Sequence, residues 1–268
     1  MRVLRMFLAC TALLAGACAT PVTEPAMGTF VQRELVVEGA THRYQVFVPA
    51  PSAAGPSPPV ILFLHGTGER GSDGEKPVRV GLGPHVLAHR ADFPAIVVFP
   101  QAPDDHDWNG DAAALALAAL DQATEEFHGD RDRTYLTGLS MGGYGTWELA
   151  MLQPHRFAAL VPICGGLVPP RDERQLFVTP LAGSADPYAT LAKNLRHVPV
   201  WIFHGAKDDL VPPDDDRRTY AALKAAGADV RYTEFPDANH NAWDPAYATP
   251  ELWPWLFAQR RPQRGAVP

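Results

Sequence analysis

The sequence is poor in cysteine, and this bounds its covalent architecture. Only three of its 268 residues are cysteines, and Cys10 and Cys18 both lie within the first twenty residues. Cys164 is the one cysteine in the body of the chain, which excludes a disulfide within that body even in an oxidising compartment. Because Cys164 ends the apolar run LVPIC, we expect a small buried hydrophobic residue there rather than a nucleophile.

Runs of basic residues are also missing. The 23 lysines and arginines are outnumbered by 30 aspartates and glutamates, which gives a formal charge of -7. No cluster of positive charge is available to hold phosphate backbones, so nucleic acid is not an expected partner. The G-K-[ST] pattern of a phosphate-binding P-loop does not follow the glycines after VILFLHG either.

The apolar run near the N-terminus, Met6 to Ala17, is too short for a good membrane span. It follows two arginines, and this combination is typical of an export signal. We therefore predict a signal peptide at residues 1–19 and an exported protein, which is periplasmic, an outer-membrane lipoprotein or extracellular. Lipidation of Cys18, with membrane anchoring, is favoured, while ordinary cleavage within Ala-Cys-Ala stays open.

The remaining chain is predicted to contain a tether (20–33), one domain (34–260) and a short tail (261–268). ELVVEG and HRYQVFVP form a predicted hairpin, and six later apolar runs of strand length alternate with helical patterns. Near-continuous apolar runs are typical of strands buried on both faces. The sequence thus predicts an α/β domain whose central, mostly parallel sheet has helices on both faces. The clearest helical patterns are residues 111–127, 145–153 and 214–226.

The strongest chemical signal is the segment GLSMG around Ser140, between the strand pattern RTYLT and the helix pattern YGTWELAM. G-x-S-x-G between a strand and a helix is the signature of a nucleophile elbow. The glycines at positions 138 and 142 provide the small neighbours that such a tight turn needs. We predict that Ser140 is a nucleophile and that the N–H of Met141 is an oxyanion donor.

A serine nucleophile needs a base that a carboxylate orients. In α/β domains with a nucleophile elbow, the three catalytic residues follow along the chain in the order Ser, Asp or Glu, His. Asp208 and Asp209 come directly after the strand pattern PVWIFHG. Asp208 is the predicted acid because it fits the spacing G-x-x-D-x-x-V-P, and Asp209 is the alternative. His240, on the loop after the last predicted strand, is the predicted base, whereas His204 lies within a strand and is predicted to be structural.

Two further predictions concern the rim of the site. The second oxyanion donor is expected at the backbone N–H of Thr67, just after the pair His65-Gly66 that ends an early strand. Trp108 and Trp243 are predicted to lie on the same rim and to bind substrate, as platforms for an aromatic or sugar ring. For both tryptophans, simple packing is an equally good interpretation.

Together these motifs resemble a known family. LFLHGTGERGSDG, GLSMGGYGTWELA, PICGG, PVWIFHGAKDDLVPP and NHNAWD are similar to the bacterial serine esterases often labelled predicted peptidases. Those are α/β-hydrolases of the phospholipase/carboxylesterase and polyhydroxybutyrate-depolymerase-like type. The resemblance covers residues 34–257, and residues 167–184 form a longer insertion, a lid or a surface loop.

The resemblance implies carboxylic-ester hydrolysis by Ser140, His240 and Asp208, without a cofactor or a metal. Expected substrates are small acyl, acetyl or feruloyl esters, either as small molecules or linked to a polysaccharide. A peptidase, a lipid or polyester hydrolase, and a non-catalytic binding module are the alternatives.

Overall fold

The computed structural model describes residues 27–37 and 39–261. The predicted signal peptide with Cys18, the tether up to residue 26 and the tail beyond residue 261 lie outside these ranges. Within them, no helix has both the length and the apolar character that crossing a bilayer requires.

One sheet of eight strands forms the centre of the domain, and all eight predicted strand segments contribute to it. Its strands are β1 (Thr29–Val37), β2 (Ala40–Val48), β3 (Val60–Leu64), β4 (Ile96–Phe99), β5 (Thr134–Leu139), β6 (Ala159–Ile163), β7 (Val200–Gly205) and β8 (Val230–Phe235). They are arranged in the order β1-β2-β4-β3-β5-β6-β7-β8. β1 and β2 pair antiparallel, as do β2 and β4, and all the other pairs are parallel.

Seven α-helices within the described residues connect or follow these strands. The predicted helices at 111–127 and 214–226 are α2 and α5, whereas α3 begins four residues before the predicted start at residue 145. Its first turn contains two glycines, which lower helix propensity, but close packing against the sheet overrides that preference. The helices are α1 (Leu82–Ala88), α2 (Gly110–Glu126), α3 (Met141–Leu152), α4 (Pro187–Leu195), α5 (Asp214–Ala225), α6 (Trp243–Tyr247) and α7 (Leu252–Ala258).

The sheet has a hydrophobic core on each of its faces. Alternation along β3 illustrates this, because Val60, Leu62 and Leu64 belong to one core cluster while Ile61 and Phe63 belong to the other. Helices α2 to α5 contribute buried residues to the first cluster, and α1, α6 and α7 contribute to the second. The predicted arrangement, a mostly parallel sheet with helices on both faces, is therefore confirmed.

Strand β1 begins at Thr29, five residues before the predicted start of the domain at residue 34. The Phe30 ring lies 5.4 Å from the Phe47 ring and 5.8 Å from the Phe99 ring, measured between centroids. Residues 29–33, expected in the tether, are thus part of the packed sheet, because β1 pairs with β2 along its whole length.

Truncation of Phe30 tests this boundary. Phe30→Ala is expected to lower the free energy of unfolding by about 1 to 3 kcal/mol, because the ring is half-buried against two aromatic neighbours. Urea denaturation followed by circular dichroism measures the change, with Thr29→Ala, an exposed position on the same strand, as the control. Equal stability of the two variants would place Phe30 outside the packed domain.

Candidate active site

The predicted site residues converge because parallel strands end at the same edge of a sheet. Thr67 follows β3, Ser140 follows β5, Asp208 follows β7 and His240 follows β8. This edge is where α/β sheets ordinarily bind ligands. The order of the strands, β3-β5-β6-β7-β8, brings together loops that are more than 170 residues apart in the chain.

Ser140 lies in a sharp turn between β5 and α3. Its φ of 54° and ψ of -118° are strained for a residue with a side chain. The flanking glycines make the turn possible, since a Cβ on Gly142 would lie 1.9 Å from the backbone oxygen of Leu64. A Cβ on Gly138 would lie 2.2 Å from the backbone oxygen of Gly142. The strain is therefore built into the packing of β5, α3 and β3.

Three side chains form one hydrogen-bonded row at this edge. His240 Nε2 lies 2.8 Å from Ser140 Oγ, and His240 Nδ1 lies 2.7 Å from Asp208 Oδ2. Because a carboxylate only accepts, Nδ1 carries the proton, which leaves Nε2 free to accept from the serine hydroxyl. In this arrangement the imidazole can take the hydroxyl proton as the oxygen attacks.

Asp208, rather than its neighbour Asp209, faces the imidazole. Asp208 is buried, and its Oδ1 accepts hydrogen bonds from the backbone N–H groups of Leu210 at 3.0 Å and Val211 at 2.9 Å. Burial alone would raise the pKa of Asp208, but hydrogen bonds from two histidines and the backbone outweigh it and hold that pKa below its ordinary value. Asp209 is exposed.

The backbone around the serine is suited to binding a negative oxygen. Met141 is the first residue of α3, so no carbonyl within that helix is available to its N–H. The loop after β3 passes beside the serine, since a Cβ on Gly66 would lie 3.6 Å from the Cβ of Ser140. Thr67 follows in that loop and lines the same pocket as Ser140. Both residues expected to supply oxyanion N–H groups are thus near the serine.

Trp108 was expected at the rim of the site but is buried in the core. Its indole N–H donates to the backbone oxygen of His65 at 2.9 Å, and its ring meets the His65 ring edge-on at 4.8 Å. His65 Nδ1 in turn lies 2.6 Å from the Gly66 oxygen. The ring of Trp108 therefore supports the loop that carries Thr67, and the packing interpretation is correct for it.

Trp243, in contrast, lines an open pocket above the serine. The pocket has a volume of about 460 Å³, and Ser140, His240 and Trp243 all border it. The ring of Trp243 meets the His240 ring edge-on, with 5.6 Å between centroids. One tryptophan of the predicted pair is thus in a position to contact a bound molecule.

The insertion at residues 167–184 forms part of the pocket wall. Arg171, Arg174 and Leu176 line the pocket, while Leu181 is buried in the core. The Arg174 guanidinium pairs with Asp107, 2.6 Å away, from the loop after β4. Arg174 and Leu181 thus attach the segment to the loop after β4 and to the core, and the segment borders the pocket.

Sequence reasoning did not identify the charged groups that hold the insertion in place. Asp107 also pairs with Arg70 of the β3 loop, so one carboxylate joins the oxyanion loop to the insertion. Glu148 of α3 accepts from the Thr179 N–H at 2.6 Å and holds the far end of the insertion. The acidic run DDHD was visible in the sequence, but nothing there indicated which aspartate would face inward.

One group of potential metal ligands occurs among the described residues. Sγ of Cys164 and ligand atoms of Asp208 and His240 lie within 4.8 Å of one another. Two of these three residues are already joined by a hydrogen bond, and burial raises the pKa of the Cys164 thiol, which keeps it protonated. The closeness of these three side chains is therefore explained by the packing of the Cys164 thiol beneath Asp208 and His240.

Comparisons with known proteins find similar sequences among hydrolases. Residues 181–255, which include Asp208 and His240, match the model of the prolyl oligopeptidase family. A "Putative esterase NocK" of Nocardia uniformis subsp. tsuyamanensis is 29% identical over 217 residues, which cover 77% of this chain and 63% of that protein. A bifunctional acetylxylan esterase/xylanase of Neocallimastix patriciarum is 25% identical over 177 residues, covering 62% of this chain and 22% of that protein.

The fold also matches that of solved structures. The crystal structure of a thermostable esterase superposes with a TM-score of 0.71 at 29% sequence identity, over 87% of this chain and 63% of that one. The chain therefore spans less than two thirds of the length of these relatives. What it shares with them is the domain that contains the triad.

Two neighbouring aspartates allow a matched test of the site. Asp208→Asn is expected to lower kcat by as much as about 10⁴-fold, because the amide favours the wrong imidazole tautomer. Asp209→Asn removes the same charge one residue away, at an exposed position, and should change kcat by less than about two-fold. Steady-state hydrolysis of p-nitrophenyl acetate measures both. A larger loss in the Asp209 variant would reverse the assignment.

Proposed function

We propose that this chain, which has the α/β-hydrolase fold, is a serine esterase that cleaves carboxylic esters through an acyl-enzyme intermediate on Ser140. The observation that carries the proposal is the 2.8 Å contact between His240 Nε2 and Ser140 Oγ on the border of an open pocket. A serine hydroxyl is a weak nucleophile unless a base stands within such a distance.

The reaction follows from the positions of these atoms. As Ser140 Oγ attacks the ester carbonyl carbon, its proton passes to His240 Nε2, and Asp208 stabilises the imidazolium that results. The carbonyl oxygen becomes negative and is bound by the N–H groups of Met141 and Thr67. The proton then moves to the departing alcohol. Water, activated by the same imidazole, attacks the acyl-enzyme and releases the acid.

The proposed substrates are small acyl, acetyl or feruloyl esters, as small molecules or attached to polysaccharide. A pocket of about 460 Å³ accommodates one such acyl group, and the Trp243 ring offers an apolar surface for an aromatic acid. The name of the Neocallimastix relative, an acetylxylan esterase, supports the polysaccharide-linked class.

Peptide cleavage is the second candidate activity. It is favoured by the match of residues 181–255 to the prolyl oligopeptidase family. The same triad serves both reactions, so only the substrates distinguish them. A non-catalytic module on this fold is disfavoured because nucleophile, base and acid are all present at hydrogen-bond distances.

We propose further that the protein is exported and anchored through a lipidated Cys18. The support comes from the N-terminal pattern of two arginines, a short apolar run and small residues before Cys18. The tether between Cys18 and β1 would then separate the domain from the membrane surface.

Removal of the nucleophile tests the proposed function directly. Ser140→Ala is expected to lower kcat for p-nitrophenyl acetate by about 10⁴- to 10⁶-fold while the circular dichroism spectrum is unchanged. A fluorophosphonate probe should modify only Ser140, as mapped by mass spectrometry, and His240→Ala should abolish that labelling. An adduct on another serine would disprove the assignment, and cleavage of a peptide p-nitroanilide at a comparable rate would favour the peptidase.

The role of Trp243 is tested by comparing two esters. Trp243→Ala is expected to lower kcat/KM for methyl ferulate about five-fold more than for p-nitrophenyl acetate, because contact between aromatic rings contributes about 1 kcal/mol beyond area burial. Trp243→Phe retains a ring and should keep most of the preference. Equal losses on both esters would mean that the ring only supports His240.

A further inference from the structure

Two histidines are completely buried near this site, and their hydrogen bonds differ in kind. His65 Nδ1 lies 2.6 Å from the Gly66 oxygen, an acceptor, while its Nε2 lies 3.0 Å from the Ala102 N–H, a donor. One donor and one acceptor match the neutral ring. In agreement, burial lowers the pKa of His65 to about 4.

His204, by contrast, faces acceptors on both sides. Its Nδ1 lies 2.8 Å from Asp216 Oδ2, and its Nε2 lies 2.9 Å from the Val211 backbone oxygen. Nε2 is also 3.3 Å from Asp208 Oδ2, the same oxygen that accepts from the triad histidine. Since a carbonyl never donates and an ionised carboxylate only accepts, both ring nitrogens must carry a proton.

The surroundings favour ionised carboxylates and hence a charged ring. Asp208 accepts hydrogen bonds on both of its oxygens. Asp216 is the third residue of α5, and the N-terminal turn of a helix stabilises negative charge. Burial alone would lower the pKa of His204, but hydrogen bonds with the two aspartates outweigh it and raise that pKa to about 10.

We propose that His204 is a positioning residue of the esterase reaction, a buried imidazolium that holds the Asp208 carboxylate ionised and aligned for His240. The proposal rests on the proposed function of Ser140. His204 does not touch the reacting atoms and acts only through Asp208. Asp216 supplies the negative charge that makes a buried cation tolerable at this depth.

The charge of His204 also determines how readily the triad base becomes protonated. Asp208 and Asp216 together carry two negative charges, and the imidazolium reduces the total to one. Without it, the second negative charge would favour a cationic His240 in the resting enzyme, which cannot accept the serine proton. The other ionisable groups that interact electrostatically with this cluster are Asp215, Glu234, Cys164, Tyr144 and Tyr232.

Nuclear magnetic resonance tests the protonation state without reference to activity. In the protein labelled with ¹⁵N in histidine, both nitrogens of His204 should show the shifts of protonated imidazolium from pH 6 to pH 9. The His204→Gln variant assigns the signals by their loss. His65 is the internal control and should show one protonated and one unprotonated nitrogen over this range. An unprotonated nitrogen on His204 at pH 7 would overturn the proposal.

Steady-state kinetics tests whether His204 affects the reaction. Two variants are compared, one that removes the charge of His204 and one that also removes the opposite charge of Asp216. His204→Gln keeps a donor near Asp208 but removes the charge. It should lower kcat about 10- to 100-fold with little change in KM, because alignment of the base is impaired. It should also move the acidic limb of the kcat/KM profile to higher pH by about one unit.

The double variant His204→Gln/Asp216→Asn removes one charge of each sign, so it should return the acidic limb towards its original pH. If the acidic limb of the kcat/KM profile lies at the same pH in His204→Gln as in the wild-type protein, His204 is merely structural. If the fluorophosphonate probe does not modify Ser140 in the wild-type protein, the proposed function is refuted, but the protonation state of His204 measured by nuclear magnetic resonance is unaffected. Failure of the proposed function and failure of the proposal on His204 can therefore be distinguished.

Unfolding at several pH values provides a separate readout. The folded pKa of His204, about 10, lies above its unfolded value of 6.5. Its contribution to stability is therefore complete below pH 6.5 and is lost as the pH rises towards 10. Urea denaturation from pH 6 to pH 10 should show this decline in the original protein and a shallower one in His204→Gln. Parallel curves would contradict a buried imidazolium.

Discussion

The structure of the site depends on one carboxylate, that of Asp208. A buried negative charge is costly unless donors surround it, and here each oxygen is engaged. One oxygen accepts from two backbone N–H groups, and the other lies between two histidine rings. These contacts determine the direction in which His240 faces and therefore which of its nitrogens is available to Ser140.

Much of this arrangement was predictable because the fold constrains where each group must lie. Parallel strands end at one edge, so Ser140, Asp208 and His240 could be assigned from the G-x-S-x-G motif, the chain order and the strand patterns. The glycines beside Ser140 carried equally direct information, since a tight turn has no room for a Cβ. The choice of Asp208 over Asp209 depended on a spacing, and the structure places Asp208 beside the imidazole and Asp209 in solvent.

Other features could not be read from the sequence because they depend on tertiary contacts. The direction of Trp108 is determined by a carbonyl oxygen of the neighbouring loop, a partner with no sequence signature. The start of α3 was missed because glycines reduce helix propensity locally, although packing requires them there. The pairing of His204 with Asp216 joins a strand to a helix, and twelve residues of separation give no hint of it.

Among the residues that the structure describes, strand β8 pairs with β7 alone, and the loop that contains His240 follows it. Edge elements exchange between closed and open forms more easily than the centre of a protein does. Because His240 follows β8, a local opening of this edge would separate the imidazole from Ser140 and Asp208 while the rest of the sheet stays paired.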